Sequence, residues 1–333
     1  MDLTAPTGPG PGASVAPVGA RTHWGVGGPP TPGATEVRAP AGVLAYEPAD
    51  MTITVGAGTS FDAVDRALAE HGQECPLDPR SREATIGGIL ASGLSGIRRL
   101  RHGPVRDHVL EVRMLTGDGR LVKGGGPTVK NVTGYDLPRL FVGSLGTIGV
   151  LQQATLRCRP RPAQARWFAS DAAQAPFRPS ARLWDGKGPE ALLLEGVAVD
   201  VQAQGRGLTG LEGPPALPDG AHRGRISVAP ARVRACAQDL DADLRWCAEL
   251  GVGTVHVATD AVDGLARARA VAHAHGGWML RETGGTPGDD GYGRPLPNAE
   301  LMQRIKVAFD PEWKLNPDRL PLSRPTNAQQ AVR

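Results

Sequence analysis

The sequence predicts an α+β protein of two domains, and three observations predict it. Strand-like alternation sits beside helix-like periodicity in the first half. The stretch from Thr85 to Val150 is dense in glycine, small hydroxyl and β-branched residues. Near Arg159–Pro162 the chain turns Pro/Arg-rich and motifs thin out, which marks a boundary. The expected division is a disordered Pro/Gly-rich start over residues 1–14, a first domain over 15–160, a smaller α/β domain over 161–320 and a flexible tail over 321–333.

Composition narrows the classes. The 333 residues suffice for two cores, and a net charge of +3 with interspersed signs gives no basis for a nucleic-acid partner. Glycine at 45, proline at 30 and aromatics at 4% describe a loop-rich chain of small residues rather than a helical bundle. Cys75, Cys158, Cys236 and Cys247 form no C-x-x-C pair, which argues against zinc or iron–sulfur ligation by this chain and for reduced thiols in a cytoplasmic protein. Neither a signal-peptide pattern nor a membrane-length apolar run is evident, so no transmembrane segment is expected.

Along the chain, Val15–Val18, Glu36–Ala39 and Val43–Tyr46 read as strands. Met51–Val55 alternates Ile53 and Val55 with Thr52 and Thr54. A helix is expected from Thr59, with Thr59 and Asp62 at capping-box spacing, a stripe of Phe61, Val64 and Leu68, and Gly72 as a stop. Val109–Thr116 and Arg120–Lys123 flank an Asp118-Gly119 hairpin turn, and Thr147–Leu156 is a further strand. In the second domain the strands are Leu192–Leu194, Ile226–Val228, Thr254–Ala258 and Trp278–Arg281. Its helices are Ala231–Leu240, Val262–His275 and Glu300–Phe309.

Four segments carry candidate chemistry. Val18–Gly28 gathers glycines and Thr22 in a loop able to aim N–H groups at a pyrophosphate, although a plain Gly/Pro turn has the same composition. Thr85–Gly96 could donate backbone N–H groups and the hydroxyls of Thr85, Ser92 and Ser95; it also fits a close-packed turn. No G-K-[ST] follows it, and no G-x-G-x-x-G ends a strand, so a Walker loop and a nicotinamide fingerprint are both disfavoured. In Arg101–Leu110, His102-Gly103 and Arg106-Asp107 fit a sharp turn with an internal ion pair as well as they fit a ligand contact. In Lys130–Val150, Tyr135 suits packing on a planar ring and Asp136 suits a helix cap. Gly143, Gly146 and Gly149 fit close packing or a ligand equally.

The order of these segments, closed by F-D-P-E-W-K-L-N-P at Phe309–Pro317, resembles the vanillyl-alcohol-oxidase-type flavoproteins, whose FAD-binding domain is called the PCMH type. The run from Lys130 to Val150 looks most like their 2-hydroxy-acid branch of glycolate oxidase subunits and D-lactate dehydrogenases. The short length looks like the glycolate oxidase FAD-binding subunit. The resemblance covers roughly residues 15–160, with support from the C-terminal helix and 310–317.

The resemblance implies a two-subdomain FAD-binding domain under a smaller α/β cap. It implies that Val18, Gly19, Ala20, Arg21 and Thr22 lie beside the FAD pyrophosphate. Thr85, Gly87, Gly88, Ser92 and Gly93 would cover the pyrophosphate and ribityl chain, and Gly143, Gly146, Ile148 and Val150 would offer backbone contacts. Some relatives attach FAD through a first-loop histidine; His23 falls one position late for that role. Three departures stand out. The elements that usually precede the first loop are missing, so the domain reads as N-terminally shortened. S-G-L-S-G replaces the usual second-loop ending, and Asp318 stands where N-P-G would be expected, so that turn should differ.

The activity implied is FAD-dependent oxidation of a CH–OH group in a 2-hydroxy acid such as glycolate or D-lactate. Such chemistry calls for an Arg for the carboxylate and a His or metal for the hydroxyl. Arg223, Arg225, Arg281, His256, His273 and His275 are available, with structural or surface roles the commoner reading for the histidines. His273 and His275 diverge by about 200° on a helix, which argues against a shared metal site. Two alternatives stay open: a non-catalytic flavin-fold accessory subunit and a stand-alone alcohol oxidase. Partners implied are a catalytic flavoprotein and an iron–sulfur subunit, with peripheral placement at the inner membrane face arising through them.

Overall fold

The computed structural model describes residues 13–29, 31–126, 136–171 and 176–324. The expected disorder of residues 1–14 therefore falls almost wholly outside the described residues, as do Lys130–Tyr135 and most of the expected tail.

The first half contains β1 (Val15–Pro17), β2 (Thr35–Val37), β3 (Val43–Glu47), β4 (Thr52–Gly56), α1 (Phe61–Ala69), β5 (Gln73–Glu74) and α2 (Ile86–Ser92). It continues with α3 (Arg99–His102), β6 (Val109–Leu115), β7 (Leu121–Gly125), α4 (Leu137–Phe141), β8 (Val150–Arg157) and β9 (Arg159–Pro160). An antiparallel sheet runs β3-β4-β8-β6-β7, while β1 and β2 pair in parallel. In β4 the apolar positions Ile53 and Val55 are fully buried. They join Phe61, Val64 and Leu68 of α1, Ile86 and Leu90 of α2, and Leu156 of β8 in one core. Each such side chain contributes roughly 2 kcal/mol by leaving water.

The helix after β4 starts later than its sequence suggests. Ser60 is the cap, accepting from the Ala63 N–H at 3.2 Å. The Thr59 hydroxyl is already committed, donating to the Gly56 carbonyl at 2.6 Å and accepting from the Gly42 N–H at 2.8 Å. Asp136 does cap α4, accepting from the Arg139 N–H at 3.0 Å.

The second half contains β10 (Gln164–Ser170), β11 (Ala181–Trp184), β12 (Glu190–Gly196), α5 (Ala198–Gln204), β13 (Thr209–Leu211), β14 (His222–Ser227) and α6 (Val233–Gln238). There follow β15 (Arg245–Glu249), β16 (Thr254–Thr259), α7 (Gly264–Ala274), β17 (Trp278–Thr283) and α8 (Ala299–Phe309). Eight strands form one sheet in the order β13-β10-β12-β11-β15-β16-β14-β17, and every pairing is antiparallel. Helix α6 is shorter than expected because Pro230–Arg232 forms a 3-10 turn ahead of it. Helix α7 buries Leu265, Ala268 and Ala272 against the sheet.

The chain end returns to the first half. Val15 donates to the Lys314 carbonyl at 2.7 Å and accepts from the Asn316 N–H at 2.9 Å. Buried Lys306 donates to the carbonyls of Thr147 (2.7 Å) and Leu315 (2.6 Å) and pairs with buried Asp310. Asp310 in turn accepts from the Lys314 and Leu315 N–H groups. The Asn-Pro-Asp turn uses a positive φ of 41° at Asn316, whereas Asp318 is not among the positive-φ residues, so glycine is not needed there.

Candidate active site

Three backbone segments meet above the small parallel sheet. The first loop leaves β1, with the Val18 N–H on the Val37 carbonyl at 2.8 Å. It runs against the start of α2. A Cβ built on Gly19 would lie 2.2 Å from Thr85 Oγ1, so only glycine lets the two segments touch. Thr85 caps α2 by accepting from the Gly88 N–H, and Gly93 ends it at φ 65°. The third segment is tied to α2 by the Gly143 N–H on the Leu90 carbonyl (3.0 Å) and the Leu145 N–H on the Ala91 carbonyl (2.8 Å). Asn316 completes the wall, donating to the Leu145 carbonyl at 2.8 Å.

Two narrow clefts of about 80 and 70 Å³ lie between these segments and share Gly19, Thr85, Gly88 and Leu145. Val18, Gly87, Gly146 and Val150 line the first, with Val37, Ala57 and Phe141 as apolar walls. Ala20, Arg21, Thr22 and Ser92 line the second. Eleven of the fourteen predicted cofactor residues thus converge. Gly93, Gly143 and Ile148 line neither cleft: Ile148 belongs to the core, and Gly93 packs on Gly143. Arg101–Leu110 lines neither, and its Arg106–Asp107 pair is long, at 3.9 Å, and exposed.

The second cleft shares Thr22, His23 and Val26 as lining with a cavity of about 920 Å³. Its floor is the eight-stranded sheet and its roof is the chain around Asp78–Arg82 and Leu94–Arg98. Cross-strand register sets Arg225 of β14 opposite His256 of β16. Pairing of β14 with β17 slips between Arg223 and Gly224, leaving Glu282 as the extra residue of a bulge, and Glu282 lines the cavity. Arg225 bridges the halves, binding Glu282 at 3.2 Å and the Ser95 carbonyl at 2.9 Å. His256 is held by buried Glu249 at 2.6 Å.

The cavity is positively biased. Arg80 donates to the Pro218 carbonyl at 2.8 Å and has no carboxylate within ion-pair distance among the described residues. Burial pushes its pKa down, and Arg223 and Arg225 add to that against Glu282 and Asp219. Burial alone would raise the Glu282 carboxyl; Arg225, His256, Arg80 and Arg223 hold it below the usual range. Burial also lowers His23, helped by Arg225 and Arg223 and opposed by Glu282, so its imidazole is neutral at neutral pH. At the rim, Arg98 holds Asp78, Glu74 and Glu195 together. Against its own burial, Glu195 is pulled down to about 2 by His102, Ser180 and Arg98.

Of the second-domain residues named from sequence, Arg223, Arg225 and His256 face the cavity. Arg281 instead holds the Gly27 and Asp289 carbonyls, and His275 pairs with Asp239 near the surface while His273 is exposed. Arg80, Glu282, Glu195 and Arg319 were not anticipated. The first follows an unremarkable Leu-Asp-Pro, and the others depend on distant pairings. No group of three His, Cys, Asp or Glu able to hold a metal occurs among the described residues.

Glycine-walled clefts that share a wall with a larger cavity suit an extended dinucleotide carrying a reactive ring, the arrangement of a flavin-binding protein. Residues 11–125 match the family profile described as FAD binding domain, and this chain carries an FAD-binding domain of the PCMH type with FAD as its cofactor. It is 43% identical over 139 residues to glycolate oxidase subunit GlcE of Escherichia coli, covering 41% of this chain and 40% of that protein. It is also 41% identical over 106 residues to a D-lactate dehydrogenase of Archaeoglobus fulgidus, covering 32% of this chain and 24% of that protein. The alignments thus span less than half the length of these relatives. Alkyldihydroxyacetonephosphate synthase shares the fold, with a TM-score of 0.64 at 15% identity over 92% of this chain and 72% of its own.

Proposed function

We propose that the chain is an FAD-dependent oxidoreductase, or the FAD-bearing subunit of one, acting on the CH–OH group of a 2-hydroxy acid such as glycolate or D-lactate. The observation that carries this is the arginine-rich cavity that shares Thr22, His23 and Val26 with the second glycine-walled cleft. Val18–Thr22, Thr85, Gly87, Gly88, Ser92, Gly146 and Val150 are assigned to the cofactor, and Gly93, Gly143 and Ile148 to shaping its walls. When bound, FAD supplies the hydride acceptor. Arg80 suits the substrate carboxylate, because a partly desolvated guanidinium without a close anion favours one; Arg223, beside it in the cavity, is already paired with Asp219 at 2.8 Å. Neutral His23, and His256 held by Glu249, are the nearby groups able to hold a hydroxyl proton.

The relatives' names support the substrate class: glycolate oxidase subunits, D-lactate dehydrogenases and D-2-hydroxyglutarate dehydrogenases. Two of them are named as subunits, which supports a multi-subunit assembly; a catalytic flavoprotein and an iron–sulfur protein are the partners this reading adds. A cytoplasmic location, with membrane contact only through partners, belongs to the same reading. Among the described residues no helix is long and apolar enough to cross a membrane. The test is anaerobic addition of glycolate or D-lactate to the purified yellow protein. Bleaching of the flavin band supports the enzyme; a stable yellow protein inert to both acids supports the accessory subunit instead.

A further inference from the structure

We propose that Arg319 is the counter-charge for the cofactor's pyrophosphate, an assignment that rests on the FAD site described above. Arg319 lines the second cleft with Gly19–His23, Gly88, Ser92 and Asn316, yet it is only 4% exposed. One nitrogen, Nη1, donates to the carbonyls of Trp24 (2.6 Å), Val26 (3.2 Å) and Gly28 (3.2 Å). These contacts satisfy hydrogen bonds but leave the charge uncompensated, because no carboxylate lies within ion-pair distance of Arg319 among the described residues. Trp24 stacks at 4.8 Å from the guanidinium carbon.

A buried cation without an anion is costly, and where it lines a ligand cleft an anionic ligand offsets that cost. The other walls of this cleft offer backbone N–H groups and the hydroxyls of Thr22 and Ser92, which hold phosphate oxygens without neutralising them, and the guanidinium of Arg21, whose charge is already paired with Glu36. Burial and neighbouring Arg281 already press the Arg319 pKa down to about 10, consistent with a site waiting for negative charge.

The competing explanation is that Arg319 only clamps the first loop. Arg281 supplies an internal control. It is also buried and donates to the same loop, through Nη2 to the Gly27 carbonyl, but it lines none of the three cavities.

The test measures ADP and adenosine binding to flavin-stripped protein by calorimetry. The wild type should prefer ADP. Arg319→Gln should shrink that preference roughly ten- to hundredfold, the scale of a charge-assisted pair. Arg319→Lys should retain part of it, and Arg281→Gln should leave it unchanged. Raised salt should erode the wild-type preference and leave the Arg319→Gln ratio flat. Equal losses for ADP and adenosine in Arg319→Gln, or an equal collapse in Arg281→Gln, would overturn the assignment. If Arg319→Gln fails to fold, Arg319→Lys and the salt dependence decide. A wild type that binds FAD without preferring ADP sinks the Arg319 assignment alone, whereas one that binds no FAD sinks the cofactor site as well.

Discussion

Replacing Gly19 by alanine should drive the first two loops apart. The new Cβ would sit 2.2 Å from Thr85 Oγ1, 3.1 Å from its Cγ2 and 3.2 Å from its Cβ. The hydroxyl must swing away, which removes the Gly88 cap bond at a cost of about 1 kcal/mol. The remaining overlaps involve Thr85, which is only 8% exposed and has little room to retreat. The total cost should therefore reach about 1–3 kcal/mol in stability. A similar loss of FAD binding, roughly five- to 150-fold, follows if the same loops grip the cofactor. Urea unfolding of the apoprotein and flavin fluorescence titration measure the two effects. Thr85→Ala alone should cost about 1 kcal/mol through the lost cap. The Gly19→Ala/Thr85→Ala double variant should be no worse than Gly19→Ala, because the clashing hydroxyl is gone and the cap is lost only once. Costs that add to within about 0.5 kcal/mol would show that the two residues do not touch as described.

Two further outcomes are expected. Lys306→Met should destabilise the protein by about 3–5 kcal/mol in urea melts, since it strands the buried Asp310 carboxylate; Lys306→Met/Asp310→Leu should recover part of that loss. His108 should make the fold acid-sensitive. Burial first, then His102, lowers its pKa from 6.5 to about 4. The unfolded state therefore binds the proton more readily. Stability is complete above the unfolded value and falls by about 3 kcal/mol as pH drops from 6.5 to about 4. Urea midpoints across that range should slope for the wild type and flatten for His108→Gln.

How much was legible depends on how local each cause is. The periods of β4 and α1 showed because Ile53, Val55, Phe61, Val64 and Leu68 bury one face each. Helix boundaries were harder, since a cap depends on which hydroxyl is free: Thr59 was already taken, so Ser60 capped α1. Strands β10, β11, β13 and β15 were not recognised from the sequence. In β13 every residue is exposed, and in β10 burial does not alternate cleanly, so neither carries a strand period.

The sequence by itself determined the glycine-walled loops proposed to cradle the cofactor. Glycines such as Gly19 are imposed by the approach of one backbone segment to another, and the order of the loops is a property of the chain alone. Only the tertiary structure decided the chemistry of the larger cavity and the closing wall of the cleft. Arg80, Arg225, His256 and Glu282 meet through strand register, a bulge and the packing of two sheets. Arg319 reaches the first loop because α8 and the Lys306–Asp310 pair fold the chain end back onto β1. A close backbone approach leaves its mark on the residue that permits it, while convergence of distant side chains leaves none until the chain has folded.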